Sequence, residues 1–234
     1  TGERMGGWGE YGLAMGLFIA SHFLPRIGGL RERLIGAVGR RMYFSVYGIL
    51  SLLLLAWVIV AAGRAPYVEL WAQMPWMRWL PNLAMPLAGL LVICGAGVNN
   101  PWTLGGRGDV KSATGGAPGF AALSRHPLLV ALGLWAASHA VVNGDLAHLT
   151  LFGGFAALAL GAIPLFDMRA ARALGGQAPA FFKRTAILSP APLANRGWWR
   201  AMGRRMTIRV TVAAALWLAL LHLHAPVIGV SPFP

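Results

Sequence analysis

Residues 42–62 read MYFSVYGILSLLLLAWVIVAA, a run of 21 residues without one charged side chain. A helix needs about 20 mostly apolar residues to cross the hydrocarbon core of a bilayer. The run therefore predicts a membrane-spanning helix. We expect further spans at roughly 8–25, 80–98, 127–143, 146–166 and 208–228. The predicted fold is all-α: a polytopic membrane bundle of six transmembrane helices.

The composition points to the same class of protein. Of the 234 residues, 57% are hydrophobic and only 12% are charged, and the mean hydropathy is +0.61. A soluble domain usually carries about 25% charged residues, so this chain has too little polar surface to cover a globule in water. A soluble enzyme, a disordered chain and a collagen-like chain are excluded. We expect a single transmembrane domain over residues 1–234, with basic cytoplasmic loops at 99–125 and 167–206.

The distribution of basic residues predicts the orientation. The chain has 20 Lys and Arg against 7 Asp and Glu, a net charge of +13. Of these basic residues, 17 follow the first, third and fifth spans, whereas Arg4, Arg64 and Arg78 lie on the other side. Because Lys and Arg are enriched in cytoplasmic loops, we expect both termini outside, N-out and C-out.

The same pattern predicts the location and the partners of the protein. Glu3 and Glu10 disfavour a basic signal-peptide region, so we expect the first span to remain in the protein. The expected location is a bacterial inner membrane. Basic residues between apolar segments indicate contact with membrane lipids, and other membrane proteins are further candidate partners. We expect no nucleic-acid partner, because the charge lies between spans.

Two of the six histidines lie within or beside apolar runs. His139 lies deep in the fourth span, and His22 follows the apolar run of the first. A lone histidine in a membrane can simply hydrogen-bond a neighbouring helix. Two on different helices suit the axial positions of a haem better than zinc, which takes three or four protein ligands. Depth along the helices instead pairs His22 with His126 and His139 with His222, so spacing leaves the ligand pair open.

Other polar residues form a candidate cofactor-binding set with these histidines. Arg125 and His126 open the fourth span, and Asn143 ends it near the face that carries His139. Arg125 can pair with a haem propionate or another anion, or serve only as a cytoplasmic charge. Tyr43 and Tyr47, one helical turn apart, line a pocket or belong to an interfacial aromatic belt.

The link between the fourth and fifth spans has a simple structural interpretation. Gly144 can adopt the left-handed conformation that ends a helix. Asp145 can then cap the next helix. We therefore expect a tight turn at this position.

The order and spacing of these motifs resemble the NnrU family of bacterial membrane proteins over nearly the whole chain. Each motif is weakly specific by itself. The resemblance rests on Ser21-His22, the run from Arg40 to Tyr47, Arg125-His126-Pro127, Ser138-His139, Asn143-Gly144-Asp145, the run at 151–154, Asp167-x-Arg169 and residues 224–232.

The resemblance implies a haem protein. Members of the family are associated with nitrogen-oxide metabolism in denitrifying bacteria, and a plant and cyanobacterial relative, 15-cis-zeta-carotene isomerase, uses haem b for a redox-dependent isomerisation. By this resemblance the chain binds haem b, with His22 and His139 as ligands of the haem iron, and acts on a nitrogen oxide or a lipid-soluble polyene. Ala136 lies one turn before His139, so a switching thiolate ligand is absent there.

Two alternatives stay open. Arg125-His126-Pro127 is similar to a motif of the isoprenylcysteine carboxyl methyltransferases, which bind S-adenosylmethionine. The chain departs from that pattern after the proline, where Leu128 and Leu129 follow, and it lacks a downstream pair of glutamates. The other alternative is a non-catalytic subunit of a membrane complex. No catalytic residue is assigned.

Overall fold

The computed structural model describes residues 2–234 and is helical over 79% of the chain. Residues 2–234 form no β-strand, so the all-α prediction is confirmed. The helices are α1 (Gly2–Phe23), α2 (Leu30–Val38), α3 (Arg40–Arg64), α4 (Trp79–Gly95), α5 (Val110–Thr114), α6 (Pro127–Asn143), α7 (Leu146–Leu174), α8 (Ala178–Arg184) and α9 (Arg196–Ile228). Short 3-10 turns lie at Leu24–Gly29, Pro75–Arg78, Gly119–Ala122, Gly175–Gln177 and Ala191–Ala194. The structure does not describe Thr1, the side chains of residues 2–6 or the side chain of Arg26. The predicted placement of the Arg4 and Arg26 charges therefore lies outside the described residues.

Several helices are long and apolar enough to cross a membrane, which makes the chain a multi-pass membrane protein. Four stretches qualify by length and hydropathy: Arg40–Arg64, Pro75–Gly95, Leu146–Arg184 and Arg196–Ile228. A fifth is added if Gly7–Phe23 and Ile27–Val38, which are bent by 74°, form one broken span. The apolar helix Pro127–Asn143 has 17 residues, about 25 Å of helix, which is short for a hydrocarbon core of about 30 Å. The six spans and their orientation are not confirmed.

The predicted loop at 167–206 is largely helical. Helix α7 continues beyond the predicted end at 166 to Leu174, and α9 begins at Arg196 rather than near 208. Hydropathy ends a predicted span where charged residues begin, but a helix continues through them as long as one face remains packed. Ala170 and Leu174 supply such a face on α7, because they are buried in a cluster with Ala178 and Phe181. Gly203, with φ of 64°, interrupts α9.

The chain divides into two compact units by the density of its contacts. Unit 1 comprises the described residues of Thr1–Ala72 together with Asn143–Leu151, and unit 2 comprises Gln73–Val142 and Phe152–Pro234. In unit 1, α1 packs against α3, and α2 contacts the start of α3. Main-chain hydrogen bonds join the segment near Glu69 and Trp71 to Gly144 and Asp145.

Unit 2 holds the two apolar clusters that position its polar side chains. Helix α4 packs against α9, and the first cluster joins α4, α6 and α7 through Leu91, Val130 and Ile163. The second cluster contains Phe181, which is 1% exposed, and lies between α5, α7 and α8. Main-chain hydrogen bonds from Ala186 to Ala121 and from Ser189 to Leu123 hold the segment after α8 beside the segment before α6.

Candidate functional site

His22 lies in an aromatic cluster of unit 1. Its ring centroid is 4.5 Å from that of Phe18 and 5.8 Å from that of Tyr47. Tyr43 and Tyr47 are stacked, with ring centroids 6.0 Å apart and planes inclined by 10°. The structure therefore brings three of the predicted site residues together, and Tyr43 is one of the few buried residues of α3.

The local hydrogen bonds of His22 select one tautomer. The Phe18 carbonyl oxygen lies 2.8 Å from His22 Nδ1 and 2.7 Å from Ser21 Oγ. A carbonyl oxygen can only accept, so Nδ1 carries the proton and donates it. The lone pair of the neutral ring is then on Nε2.

His139 repeats this arrangement on α6 in unit 2. The Trp135 carbonyl oxygen lies 2.8 Å from His139 Nδ1 and 3.0 Å from Ser138 Oγ. Phe152 and Trp135 lie at ring-centroid distances of 5.3 Å and 5.8 Å from the imidazole. The same tautomer follows, with the lone pair on Nε2, so both histidines have the form that ligates metals.

The other histidines differ from this pair in at least one feature. His222 Nδ1 donates to the Leu218 carbonyl at 2.8 Å, but His222 is exposed and follows Leu221 instead of a serine. Asn143 is half-buried at the end of α6 and belongs to unit 1. Among the residues whose side chains the structure describes, no group of three His, Cys, Asp or Glu could hold a metal ion.

Arg125 is paired with a carboxylate of its own chain. Its Nε donates to Asp167 Oδ1 at 2.9 Å and its Nη2 donates to Oδ2 at 2.6 Å, a bidentate pair. The guanidinium also lies over the Phe182 ring, with Cζ 5.1 Å from the centroid. Only 10% of the Arg125 side chain and 20% of the Asp167 side chain are exposed. The anion that neutralises Arg125 is thus Asp167, which sequence reasoning did not select.

His126 is completely buried beside the same carboxylate. Its Nε2 lies 2.8 Å from Asp167 Oδ1, and its Nδ1 lies 2.8 Å from Thr103 Oγ1. The carboxylate requires a proton on Nε2, so in the neutral ring Nδ1 accepts from the Thr103 hydroxyl. Burial lowers the pKa of His126 from its ordinary value, and this effect outweighs the Asp167 hydrogen bond, which acts in the opposite direction. At neutral pH the ring is therefore uncharged.

Further hydrogen bonds hold this polar cluster in place. The amide of Asn100 donates to the Arg125 carbonyl at 2.9 Å, and the Arg125 N–H donates to the Ala186 carbonyl at 2.7 Å. Ser124 Oγ donates to the Ile187 carbonyl at 2.7 Å. The cluster connects the segment before α6, the end of α7 and the segment after α8. His126 is 0% exposed, and its two ring hydrogen bonds join Thr103 to Asp167 of α7.

The turn between α6 and α7 forms as predicted. Gly144 has a φ of 68°, and Asp145 Oδ1 accepts from the main-chain N–H of His148 at 3.1 Å. Asp145 Oδ2 also lies 2.8 Å from His148 Nδ1. The prediction that Asp145 caps the helix is confirmed, and the ring of His148 is a hydrogen-bonding partner that sequence reasoning had not identified.

Sequence reasoning did not select Asp167 or Thr103, the two residues that hydrogen-bond to the His126 ring. A signal for Asp167 was present, because it is the only acidic residue after Asp145 and lies in a basic stretch. Thr103 gave no signal, since it lies in a Gly-rich segment whose path depends on tertiary contacts.

Comparisons with known proteins identify the family. No curated protein matches the chain, and no solved structure matches it. The family described as "NnrU protein" matches residues 12–232 of the 234. This match covers both candidate imidazoles and the buried Arg125 cluster, and the chain belongs to the NnrU family.

Proposed function

We propose that this NnrU-family chain is a six-span protein of a bacterial inner membrane, with both termini outside, that binds haem b through His22 and His139. The bound haem would supply redox chemistry toward a nitrogen oxide or a lipid-soluble polyene, which links the protein to denitrification or to redox isomerisation. The observation that carries the proposal is the shared geometry of the two Ser-His pairs.

The local hydrogen bonds fit a haem ligand. A histidine that ligates a metal usually donates its other ring N–H to a carbonyl or carboxylate, which fixes its tautomer and orientation. The Phe18 and Trp135 carbonyls do this for His22 and His139 at the same distance of 2.8 Å. Haem takes only one or two protein ligands, so each of these imidazoles is suited to an axial position by its own local geometry.

The surroundings of the two imidazoles also fit a flat aromatic ligand. Phe18 and Tyr47 flank His22, and Trp135 and Phe152 flank His139. Such side chains offer apolar surface for a porphyrin and exclude water from it. The haem is therefore expected to be retained through purification in mild detergent.

The test is the visible spectrum of the purified protein, oxidised and dithionite-reduced, with a pyridine haemochromogen assay for stoichiometry. We expect a Soret band, sharp reduced α and β bands and about one haem per chain. His139→Ala and His22→Ala are each expected to lower the haem content or shift the bands. His222→Ala changes an exposed histidine that has the same tautomer without the preceding serine, and it is expected to leave the spectrum unchanged. A changed spectrum in this variant would favour the alternative pair of His139 with His222.

Two results would contradict the proposal. A spectrum without a Soret band after haem-supplemented expression would remove haem binding altogether. Unchanged spectra in both the His22 and His139 variants would remove the ligand assignment. Heat released on titration with S-adenosylmethionine would instead favour the methyltransferase alternative.

A further inference from the structure

Two guanidinium groups lie against one phenyl ring where α2 meets α3 in unit 1. Arg31 of α2 and Arg40, the first residue of α3, have their Cζ atoms 5.3 Å and 5.2 Å from the centroid of Phe44. A cation over an aromatic face is attracted by the ring quadrupole. Phe44 therefore holds together two cations that would otherwise repel each other.

No ion pair among the described side chains neutralises the positive charge at this position. Residues 30–41 contain Arg31, Arg33, Arg40 and Arg41 against the single acid Glu32. The ion pairs between side chains that the structure describes involve Glu10, Asp145 and Asp167, and none includes an arginine of this segment.

The start of α3 adds to this positive potential. The first turn contains no acidic residue, and the residue that precedes it, Gly39, provides no side-chain cap. The free N–H groups of a helix start favour a negative charge, yet here two arginines occupy that turn. A shallow, open surface depression lined by Arg40, Arg41, Phe44 and Ser45 lies at the same place. The arrangement is unfavourable without an anion and favourable with one.

The neighbouring surfaces are those of a membrane boundary. Helix α3 is a candidate span with mean hydropathy 2.4, so its first turn lies near the level of the headgroups. Helix α2 has no buried residue and exposes Leu30, Leu34 and Val38. Further along α3, Leu52 and Leu53 are 67% and 64% exposed, which suits acyl chains.

We propose that Arg31, Arg40, Arg41, Phe44 and Ser45 form a binding site for the phosphate of one anionic phospholipid, with its acyl chains along α3. We call these five residues the headgroup site. Guanidinium groups and a serine hydroxyl donate hydrogen bonds to phosphate oxygens, and guanidinium geometry matches phosphate. The site does not depend on haem, so its test and that of the proposed function fail independently.

The test is native mass spectrometry of the detergent-purified full chain, titrated with phosphatidylglycerol or phosphatidylcholine. We expect the first retained lipid to be phosphatidylglycerol, and 10 mM inorganic phosphate, roughly the concentration of a common buffer, not to displace it. The double variant Arg31→Gln/Arg40→Gln is expected to bind phosphatidylglycerol about 30-fold more weakly, since each basic residue near an anionic surface contributes about fivefold.

Charge-matched controls separate a site from general attraction. Arg200→Gln/Arg204→Gln removes the same charge from an exposed part of α9 and is expected to change affinity by less than about twofold. Arg31→Lys/Arg40→Lys keeps the charge but loses the planar guanidinium groups, so it is expected to bind more tightly than the glutamine pair and more weakly than the wild type. Phe44→Leu is expected to lose part of the affinity at constant charge. If the glutamine pair does not fold, as judged by thermal melting, Arg40→Gln alone is compared with the wild type. Its affinity for phosphatidylglycerol is expected to be about fivefold lower.

Three outcomes would overturn the proposal. Equal retention of phosphatidylcholine would show that the phosphate is bound without charge selectivity. Equal losses in the α2–α3 pair and the α9 pair would show attraction by net charge alone. Displacement of the lipid by inorganic phosphate would indicate a free-anion site.

Discussion

Asp167 binds the Arg125 guanidinium in a bidentate pair, with Nε 2.9 Å from Oδ1 and Nη2 2.6 Å from Oδ2. The same Oδ1 lies 2.8 Å from His126 Nε2. One carboxylate thus neutralises a buried cation and orients a buried imidazole, two residues that are adjacent in the chain. This relationship makes Asp167 the residue on which the buried cluster depends.

Replacing Asp167 should destabilise the protein strongly. In Asp167→Asn the guanidinium of Arg125 stays buried without a counter-charge, and breaking a buried ion pair in this way costs about 3–5 kcal/mol. Thermal unfolding in detergent measures the loss. The control is Glu32→Gln, which neutralises an exposed carboxylate and should leave the melting temperature nearly unchanged. Equal melting temperatures for both variants would contradict the central role of Asp167.

The buried imidazole should make stability depend on pH. Because burial lowers the pKa of His126, the folded state keeps it neutral while the unfolded state takes up a proton below a pKa of about 6.5. The unfolded state then binds more protons, so the free energy of unfolding falls as pH drops below about 6.5, by up to about 1.4 kcal/mol per pH unit.

The variant His126→Asn isolates this contribution, because asparagine does not titrate and the remaining histidines are unchanged. The free energy of unfolding is measured between pH 7.5 and pH 5, roughly one unit above and more than one below the ordinary histidine pKa. It should fall more steeply with decreasing pH in the wild type than in the variant. If the free energy of unfolding depended on pH in the same way in both proteins, His126 would not contribute to that dependence.

A methyl group at Gly95 should disturb the junction of α4 and α6. A Cβ at this position would overlap the Pro127 ring and lie 3.0 Å from Phe120. Overpacking of this kind costs about 1–3 kcal/mol. Gly161→Ala is the control on α7, because no atom lies near its Cβ position and alanine favours a helix by up to about 1 kcal/mol. The two variants should therefore shift the melting temperature in opposite directions.

Removing one hydroxyl should loosen unit 1. Tyr11 Oη donates to the Ala147 carbonyl at 3.1 Å and lies 2.9 Å from Thr150 Oγ1. Tyr11→Phe loses a buried hydrogen bond, which contributes about 1 kcal/mol to stability. Tyr67→Phe, at a tyrosine that is 62% exposed, should have no comparable effect. A Tyr11 variant as stable as the wild type would show that this contact does not stabilise unit 1.

The sequence by itself determined that this is an all-helical membrane protein and where its apolar helices lie. Apolar runs such as 42–62 can satisfy their backbone hydrogen bonds in a membrane only as helices, so composition and length decide that much. The left-handed conformation of Gly144 and the helix cap formed by Asp145 could also be predicted from the sequence, because both depend on neighbours within a few positions.

Only the tertiary structure decided which side chains meet. Arg125 and Asp167 are 42 residues apart, and no periodicity along the chain reveals that the end of α7 returns to the start of α6. The helical extension of α7 to Leu174 likewise depends on packing against Ala178 and Phe181, which hydropathy does not measure. Local chemistry follows from neighbours in sequence, whereas a buried ion pair requires the path of the whole chain, because its free energy depends on what surrounds it.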